Sequence, residues 1–303
     1  MKEILLNAHA KINLSLEITG RRENGYHDID SVMQGVSLYD LIRVSDSSDG
    51  RFIASCRGVD MYLRSEAEGM PYDESNLAIK GLKAVINAIE DELPAEVTVE
   101  IDKRLPVAAG IAGGSGNAAA AMLGLNAITG SRLSLDELMR IGTAVGADVP
   151  FSLAMNAYRN RDRLCELDGL AAATDSARAR GIGEVLESVL PVRRFVILAN
   201  PGISVSTREV YEAIDSEDRV PVYDLFFNRM EEYTLEQYPE ARQLKEMMST
   251  IGADEVLMSG SGPTIVAYFS DESERDKGFE RLCAEMKNGW RAWKCSTGEE
   301  QLR

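Results

Sequence analysis

A run of glycine, alanine and serine residues between Leu105 and Ala121 has a composition that suits the binding of a phosphate group. Small residues let the backbone approach an anion and tolerate positive φ, and the unpaired N–H groups and dipole at the start of the following helix favour negative charge. The segment therefore predicts a phosphate site, with a nucleotide as the expected ligand. The alternative is a turn whose glycines only permit close packing against a strand, and the loop alone does not separate the two.

Spacing excludes the two standard nucleotide-binding loops. The chain contains no G-x-x-x-x-G-K-[ST] sequence, so the loop is not a Walker A motif. The loop glycines also miss the G-x-G-x-x-G register of a dinucleotide-binding turn, since they stand at Gly110, Gly113, Gly114 and Gly116. The chain has no G-x-S-x-G elbow either, which disfavours a Ser-His-Asp hydrolase.

Composition and charge exclude further classes of protein. The 303 residues are 45% hydrophobic and 27% charged, which is ordinary for a globular protein of one large or two modest domains. A net charge of -16 argues against a broad nucleic-acid surface, because duplex binding depends on clustered Lys and Arg. The start lacks a secretory apolar region, and no apolar run approaches the roughly 18 residues of a membrane span. We expect a cytoplasmic protein with no membrane and no nucleic-acid partner, and the oligomeric state stays open.

Metal-ligating residues are few and scattered. The two histidines are His9 and His27, so a histidine-rich metal site is out of reach. The four cysteines have no C-x-x-C spacing, which argues against a zinc site or disulfide framework and predicts buried thiols at Cys56, Cys165, Cys283 and Cys295. An acidic protein that binds phosphate must then concentrate positive potential at a helix start, at lysine or arginine, or at a divalent metal ion.

The elements that position these residues follow from periodicity. Residues 3–18 alternate as a strand, which places Lys11 and Asn13 on one face. Residues 117–129 are expected to be helix, and Ser134 with Glu137 has the spacing of a capping box for a helix through residue 144. Further strands are predicted at 30–45, 97–101, 194–199 and 290–295, a strand-loop-strand at 255–269, and further helices at 74–92, 207–214, 239–251 and 271–287. These strands and helices are interleaved without regular βαβ spacing, which predicts a two-domain α+β protein. The polar and poorly periodic residues 155–181 predict an irregular insertion and the domain junction.

Three blocks of sequence carry a family resemblance. They read Ala-Lys-Ile-Asn-Leu-Ser-Leu-Glu-Ile-Thr-Gly-Arg-Arg-Glu-Asn-Gly-Tyr-His-Asp-Ile over 10–29, Gly-Ala-Asp-Val-Pro-Phe over 146–151 and Met-Ser-Gly-Ser-Gly-Pro-Thr over 258–264. With the small-residue loop they resemble the GHMP kinase superfamily, and the first block is similar to that of members acting on a cytidine diphosphate derivative of methylerythritol in non-mevalonate isoprenoid biosynthesis. The resemblance implies a two-domain α+β GHMP kinase fold, with an N-terminal ribosomal protein S5 domain 2-like domain over 1–155 and a C-terminal ferredoxin-like α/β domain over 156–303.

The resemblance also implies a reaction, namely ATP-dependent phosphorylation of the 2-hydroxyl of that small-molecule substrate, with Mg²⁺ as cofactor. Asp148 matches the family's catalytic aspartate, expected to accept or orient the proton of the substrate hydroxyl. Lys11 matches the catalytic lysine, expected to hold that carboxylate ionised and to stabilise the transferred group, so the two side chains should converge. From the residues alone, Asp148 is also consistent with a helix cap and Lys11 with an exposed strand residue.

Substrate-binding residues are implied in the same way. Asn13, Tyr26 and His27 match substrate contacts, with His27 bonded to the cytosine edge and Tyr26 lining the pocket. Phe195 aligns approximately with an aromatic position that stacks on cytosine, although an apolar residue at the start of a strand is typical of a core. A second turn, whose alternative is a plain hairpin, is a candidate phosphate or substrate turn and consists of Gly260, Ser261 and Gly262.

The implied ATP loop departs from the family pattern. It consists of Pro106, Ala108, Ala109, Gly110, Ile111, Ala112, Gly113, Gly114, Ser115, Gly116 and Asn117, with Ser115 as the candidate metal ligand. Family members show a run of three glycines and a Ser-Ser pair, whereas alanines interrupt the glycines here and Gly116 replaces the second serine. Added methyl groups obstruct close approach of phosphate, and a lost hydroxyl removes a possible ligand. Two alternatives therefore stay open: another GHMP kinase of homoserine or mevalonate type, and a non-catalytic member that only binds ligand.

Overall fold

The structure is a computed structural model that describes residues 1–107, 109–215 and 220–298. The described residues form two compact units, and neither is one continuous stretch of chain. The first unit contains residues 1–10, 39–107 and 112–175, and the second contains the described residues of 11–38, 108–111 and 176–298. We expected two domains that meet at residue 155. The two units do not divide the chain there, because two long strands contribute residues to both.

The two long strands are β1 (Glu3–Arg21) and β2 (His27–Ser45). Residues 3–10 of β1 and 39–45 of β2 belong to the first unit, and their other residues belong to the second. The strand predicted over 3–18 is thus present, but every residue of β1 from 8 to 14 is buried, polar ones included. The polar face of this strand lies inside the protein rather than in water.

The first unit is a sheet covered by helices. Its further elements are β3 (Arg51–Cys56), β4 (Val59–Arg64), α1 (Leu77–Ala88), β5 (Glu96–Asp102), α2 (Gly113–Ile128), α3 (Leu135–Gly142) and α4 (Val149–Arg159). The strand order is β2-β5-β4-β3, with β4 and β5 parallel and the other pairs antiparallel. The helix α2 is buried on nearly all sides, and its alanines at 118–121 let α1 and α4 pack closely against it.

The second unit contains an antiparallel sheet with helices. Its elements are β6 (Ser176–Gly181), β7 (Val185–Ser188), β8 (Arg194–Asn200), α5 (Thr207–Ile214), β9 (Phe227–Asn228), α6 (Glu231–Gln237), α7 (Pro239–Met248), β10 (Glu255–Met258), β11 (Ile265–Phe269), α8 (Glu272–Glu285) and β12 (Arg291–Thr297). The strand order is β10-β11-β8-β12-β2, and β6 also pairs with β2. The short β9 pairs in parallel with β1 and so fixes the chain beside Ser15 and Leu16.

Several predicted elements have the expected bounds. The helix predicted over 207–214 is α5, and Ser134 with Glu137 forms the capping box at the start of α3. The prediction was wrong for the supposed irregular stretch over 155–181, which contains the end of α4, a 3-10 turn at Leu170–Ala172 and the strand β6. In β6 the buried hydrophobic residues are the alanines 177 and 179, which give a weak alternation signal, and arginines follow each of them.

Two further features of the chain bear on the sequence predictions. Cys165 and Cys283 are exposed, contrary to the expectation of buried thiols, whereas Cys295 is buried and Cys56 is half-buried. The exposed pair lies on a turn and on the outer side of α8, where no core is available. Within the described ranges, no helix combines the length and apolar character that crossing a membrane requires.

Candidate active site

The polar face of β1 holds a buried lysine whose position is set by neighbouring side chains. Lys11 is 4% exposed, and its Nζ donates a hydrogen bond to Asn13 Oδ1 at 2.8 Å. The Asn13 amide is oriented in turn, because its Nδ2 donates to Ser31 Oγ at 2.8 Å and Ser31 Oγ donates to the Ser15 carbonyl at 2.6 Å. The ammonium of Lys11 is therefore a buried and oriented charge, unlike the solvated strand residue that was the alternative.

Two glycine-containing segments lie against this part of β1. The Lys11 N–H donates to the Ile111 carbonyl at 3.1 Å, so the end of the loop runs beside the strand. The Asn13 N–H donates to Ser259 Oγ at 3.3 Å, and Ser259 Oγ donates to the Gly110 carbonyl at 3.1 Å. Gly110 has a φ of +74°, and a Cβ there would lie 2.5 Å from the Ser259 carbonyl oxygen. Only glycine fits at this position, so close packing is part of its role.

The turn that joins β10 and β11 contains the predicted Gly260, Ser261 and Gly262. Gly260 and Gly262 have positive φ, at +57° and +79°. Asn228 Nδ2 donates to the Gly260 carbonyl at 2.7 Å, and Ser261 Oγ lies 2.8 Å from Thr207 Oγ1. The turn is a hairpin connection that side chains hold in place, and its role toward a phosphate or substrate stays a prediction.

The small-residue loop ends at α2 and leaves the start of that helix without a side-chain cap. Ala112 is the residue before the helix, and it adopts the left-handed conformation with φ 54° and ψ 30°. The N–H groups at 113–115 have no carbonyl within the helix to bond, and the ladder begins where the Gly116 N–H donates to the Ala112 carbonyl at 2.8 Å. Such an uncapped start concentrates positive potential and suits an anion. All predicted loop positions are described except Ala108, which lies outside the described residues.

Gly116 replaces the serine that the family resemblance leads us to expect, and packing within the first unit favours the glycine. A Cβ at Gly116 would lie 2.9 Å from the His9 carbonyl oxygen on β1. Asn156 on α4 fixes this approach, because its Oδ1 accepts from the His9 N–H at 2.9 Å and its Nδ2 donates to the Gly116 carbonyl at 3.3 Å. The close contact of α2 with β1 leaves no room for a side chain.

Asn117 is engaged with a buried carboxylate. Asp40 is fully buried and accepts from Asn117 Nδ2 at 2.7 Å. It also accepts from the N–H groups of Arg104 and Leu105 at 2.7 and 2.8 Å, and from the ammonium of Lys103. One carboxylate therefore anchors the chain on both sides of the loop. Sequence reasoning missed Asp40, because a single aspartate within a strand pattern does not indicate its partners.

Asp148 occupies the position before α4 without capping that helix. Its backbone is helical, with φ -84° and ψ -6°, and its side chain makes no capping hydrogen bond. The residue is half-buried, and its carbonyl accepts from the Ser152 N–H at 3.0 Å. A short polar residue at this position usually caps the helix, and Asp148 does not. Its role as catalytic base, and its convergence with Lys11, stay predictions.

The Gly-Tyr-His turn places His27 in an aromatic and charged cluster of the second unit. Tyr26 is 57% exposed, whereas His27 is buried. His27 Nε2 lies 2.6 Å from Asp215 Oδ1, and the Tyr211 ring stacks on the imidazole with centroids 4.4 Å apart and 13° between the planes. Arg21 Nη1 lies 3.0 Å from the other carboxylate oxygen, Asp215 Oδ2. Sequence reasoning missed Tyr211 and Asp215, because no spacing rule links them to the first block.

Phe195 lies in a different part of the second unit. It is on β8 opposite Phe269 of β11, and the guanidinium carbon of Arg275 lies 5.4 Å from its ring centroid. This half-buried position fits the core alternative considered above. The aromatic residue that contacts His27 is Tyr211, and a stacking role for Phe195 stays a prediction without support from its neighbours.

The polar face of β1 also carries a buried ion pair. Glu17 Oε1 accepts from Arg229 Nε at 2.8 Å and from the Ile18 N–H at 2.8 Å. Glu17 Oε2 accepts from Arg229 Nη2 and from the Val222 N–H, both at 2.6 Å. Burial raises the pKa of Glu17, but these hydrogen bonds to the charged form outweigh it, so the pKa lies below its ordinary value. Glu17 therefore joins the residue that follows β9, through Arg229, and the segment before β9, through Val222, to the strand that carries Lys11.

Candidate metal ligands are sparse in the described part of the chain. No group of three His, Cys, Asp or Glu side chains there could hold a metal ion. Ser115 is half-buried in the first turn of α2 and provides a hydroxyl oxygen. Mg²⁺ commonly binds through few protein oxygens together with substrate phosphates. The single hydroxyl of Ser115 therefore fits a magnesium ion that arrives with a nucleotide.

Comparison with known proteins places the chain in a family. The model of the GHMP kinases N terminal domain matches residues 76–156, and that of the GHMP kinases C terminal matches residues 210–288. A curated relative from Alkaliphilus metalliredigens, named 4-diphosphocytidyl-2-C-methyl-D-erythritol kinase, is 35% identical over 301 residues, which cover 93% of each chain. The chain belongs to the GHMP kinase family.

Further relatives of this GHMP kinase agree. A protein of the same name from Alkaliphilus oremlandii is 33% identical over 99% of both chains. The crystal structure of a 4-(cytidine 5'-diphospho)-2C-methyl-D-erythritol kinase has 28% identity and a TM-score of 0.74, covering 98% of this chain and 100% of that chain. The two-domain α+β GHMP kinase fold expected from the sequence is confirmed, and the family implies ATP-dependent phosphorylation of a small molecule.

Proposed function

We propose that this kinase transfers the γ-phosphoryl group of ATP to the 2-hydroxyl of 4-diphosphocytidyl-2-C-methyl-D-erythritol. The observation that carries the proposal is the buried Lys11 ammonium, which Asn13 orients beside Gly110 and the turn after β10. Two relatives named for this substrate match at least 93% of this chain, which supports the choice of substrate over homoserine or mevalonate.

Three groups of the chain are assigned to the phosphoryl transfer. Asp148 accepts or orients the proton of the substrate hydroxyl, and Lys11 stabilises the negative charge on the transferred group. The amides at the start of α2 bind phosphate oxygens, since that helix end has no side-chain cap. Ser115 Oγ and the phosphate oxygens would hold Mg²⁺, which neutralises phosphate charge. Little covalent chemistry is needed from the protein, because positioning and charge dominate such transfers.

The cytidine end of the substrate is assigned to the cluster around His27. An imidazole nitrogen can form a hydrogen bond with a base edge, and the flat ring of Tyr211 can stack on a pyrimidine. Tyr26, exposed beside them, is assigned to the rim of the same site. The physical basis for this assignment is the stacked and hydrogen-bonded geometry of His27, which holds the ring in one orientation.

An ADP-release assay with ATP and 4-diphosphocytidyl-2-C-methyl-D-erythritol tests the proposal. We expect turnover in the wild type and a loss on the order of 10² or more in kcat for Asp148→Asn, which removes the proton acceptor. Asp136→Asn is the matched control, because Asp136 is exposed in the first turn of α3, and it should keep full turnover. Absence of turnover in the wild type, or full turnover in Asp148→Asn, contradicts the proposal.

The same assay separates the two alternatives. Faster turnover of homoserine or mevalonate than of the cytidine substrate favours another GHMP kinase. Saturable binding of the cytidine substrate without ADP release, in a folded sample with ATP and Mg²⁺, favours a non-catalytic member. A thermal-shift measurement reports that binding, since a ligand well above its Kd raises the melting temperature.

A further inference from the structure

Asp215 contacts the imidazole of His27 through its side chain and Tyr211 through its backbone. The residue directly follows α5, and its N–H donates to the Tyr211 carbonyl at 3.1 Å. Its Oδ1 lies 2.6 Å from His27 Nε2, and its Oδ2 lies 3.0 Å from Arg21 Nη1. Both carboxylate oxygens are therefore engaged, one by the imidazole and one by a guanidinium.

This contact decides which nitrogen of the His27 ring carries the proton. An ionised carboxylate only accepts hydrogen bonds, so the short contact with Asp215 requires a proton on Nε2. In the neutral ring Nδ1 then has a lone pair and only accepts.

Cytosine and uracil present opposite groups to an Nδ1 atom that only accepts hydrogen bonds. Cytosine carries an exocyclic amine, which donates, at the position where uracil carries a carbonyl oxygen, which accepts. We propose that Asp215 is a positioning residue that makes the kinase select cytosine over uracil, because it holds His27 in the tautomer whose Nδ1 accepts from the amine. The inference rests on the proposed function, in which the pyrimidine of the substrate meets His27.

Binding of CDP and UDP, measured by calorimetry, tests the selection. Wild type should bind CDP about tenfold or more tightly than UDP, the discrimination expected of one hydrogen bond. In Asp215→Asn the new amide can donate to Nε2, which moves the proton to Nδ1, and the CDP:UDP ratio should fall to about threefold or less. The matched control is Arg21→Gln, which removes the ion pair but keeps the carboxylate, and it should keep the wild-type ratio. Equal ratios in wild type and Asp215→Asn, or the same fall in Arg21→Gln, overturn the proposal.

The tautomer itself can be observed without any ligand. The chain has two histidines, so long-range ¹H–¹⁵N correlation spectra of ¹⁵N-histidine protein contain two imidazoles, and His27→Gln assigns them. Wild type should show His27 protonated on Nε2, and Asp215→Asn should show increased protonation on Nδ1. A wild-type ring protonated on Nδ1 alone, or on both nitrogens at neutral pH, overturns the proposal even if the variant does not fold.

The outcomes also separate this inference from the proposed function. Wild-type protein that neither binds CDP nor turns over the cytidine substrate contradicts both. Wild-type protein that does bind and turn over the substrate, while its CDP:UDP ratio is unaffected by Asp215→Asn, contradicts only the role of Asp215.

Discussion

Asn117 Nδ2 donates a hydrogen bond to Asp40 Oδ2 at 2.7 Å and so joins the beginning of α2 to the chain that precedes the loop. The same carboxylate accepts from the ammonium of Lys103 and from two backbone N–H groups. All of these donors are satisfied by one fully buried side chain. Asp40 therefore determines where the loop starts and ends.

Replacing the buried carboxylate should destabilise the protein and impair the loop. Asp40→Asn leaves the Lys103 ammonium without its anion, and we expect a loss of about 3 kcal/mol in the free energy of unfolding, measured by urea denaturation. The KM for ATP should rise more than kcat falls, since the loop is displaced and the proposed catalytic groups are intact. Asp102→Asn, whose carboxylate is exposed beside Arg104, is the control and should change little. Equal effects of the two substitutions would contradict the role of Asp40.

The residue before α2 should be more stable as glycine. Ala112 has a φ of +54°, a conformation that costs an L-residue about 1 kcal/mol relative to glycine. We expect Ala112→Gly to raise the free energy of unfolding by about 0.5 kcal/mol, after the greater entropy of glycine in the unfolded chain is subtracted. Ala127→Gly, within the same helix, should lower it by about 1 kcal/mol. The opposite signs, measured by thermal or chemical denaturation, check the backbone conformation.

Restoring the family serine at position 116 should harm the protein. A Cβ there would lie 2.9 Å from the His9 carbonyl oxygen. This contact could be relieved only by moving the backbone of α2 or of β1. We expect Gly116→Ser to lower the free energy of unfolding by about 1–3 kcal/mol, as overpacking does. Gly114→Ser is the control, because its nearest neighbour is the flexible end of Leu77 at 3.2 Å, and its stability should stay near that of the wild type. A gain in stability from Gly116→Ser would show that α2 and β1 are further apart.

The Glu17–Arg229 pair should make stability depend on pH. The pKa of Glu17 lies below its unfolded value of 4.5, so the pair stabilises the protein above that pH and the contribution is lost as pH falls through the folded pKa. At pH 7 we expect Glu17→Gln to be about 3 kcal/mol less stable than wild type, and the difference should shrink as pH falls below 4.5. Denaturation curves from pH 7 to pH 3 measure it, with the exposed Glu3→Gln as control. A difference that stays constant over that range would contradict the assignment.

Much of the local structure could be predicted, because its causes lie within a few residues. The Ser134 and Glu137 capping box and the helix α5 depend on adjacent side chains, and both are present. The start of α2 was misjudged by four residues, since glycines 113, 114 and 116 are helical once Ala112 turns the chain. The strand β6 was not predicted, because its small buried alanines contribute little to a hydrophobic pattern.

The candidate site was predicted only in part. The first block indicated Lys11, Asn13 and His27, which the structure shows buried with polar partners. It did not indicate Tyr211 or Asp215, since a stacked ring on α5 and the carboxylate that directly follows α5 reach His27 only after the chain folds. The same reason explains Asp40, whose donors come from two separate stretches of chain.

The sequence alone determined the family, the small-residue composition of the loop and the polar face of β1, because residue type and spacing encode them directly. Tertiary structure alone decided that this face is buried, that Gly116 has no room for a side chain and that Asp215 and Tyr211 hold His27. Burial and contact depend on which distant segments pack together, and local periodicity does not indicate which segments those are.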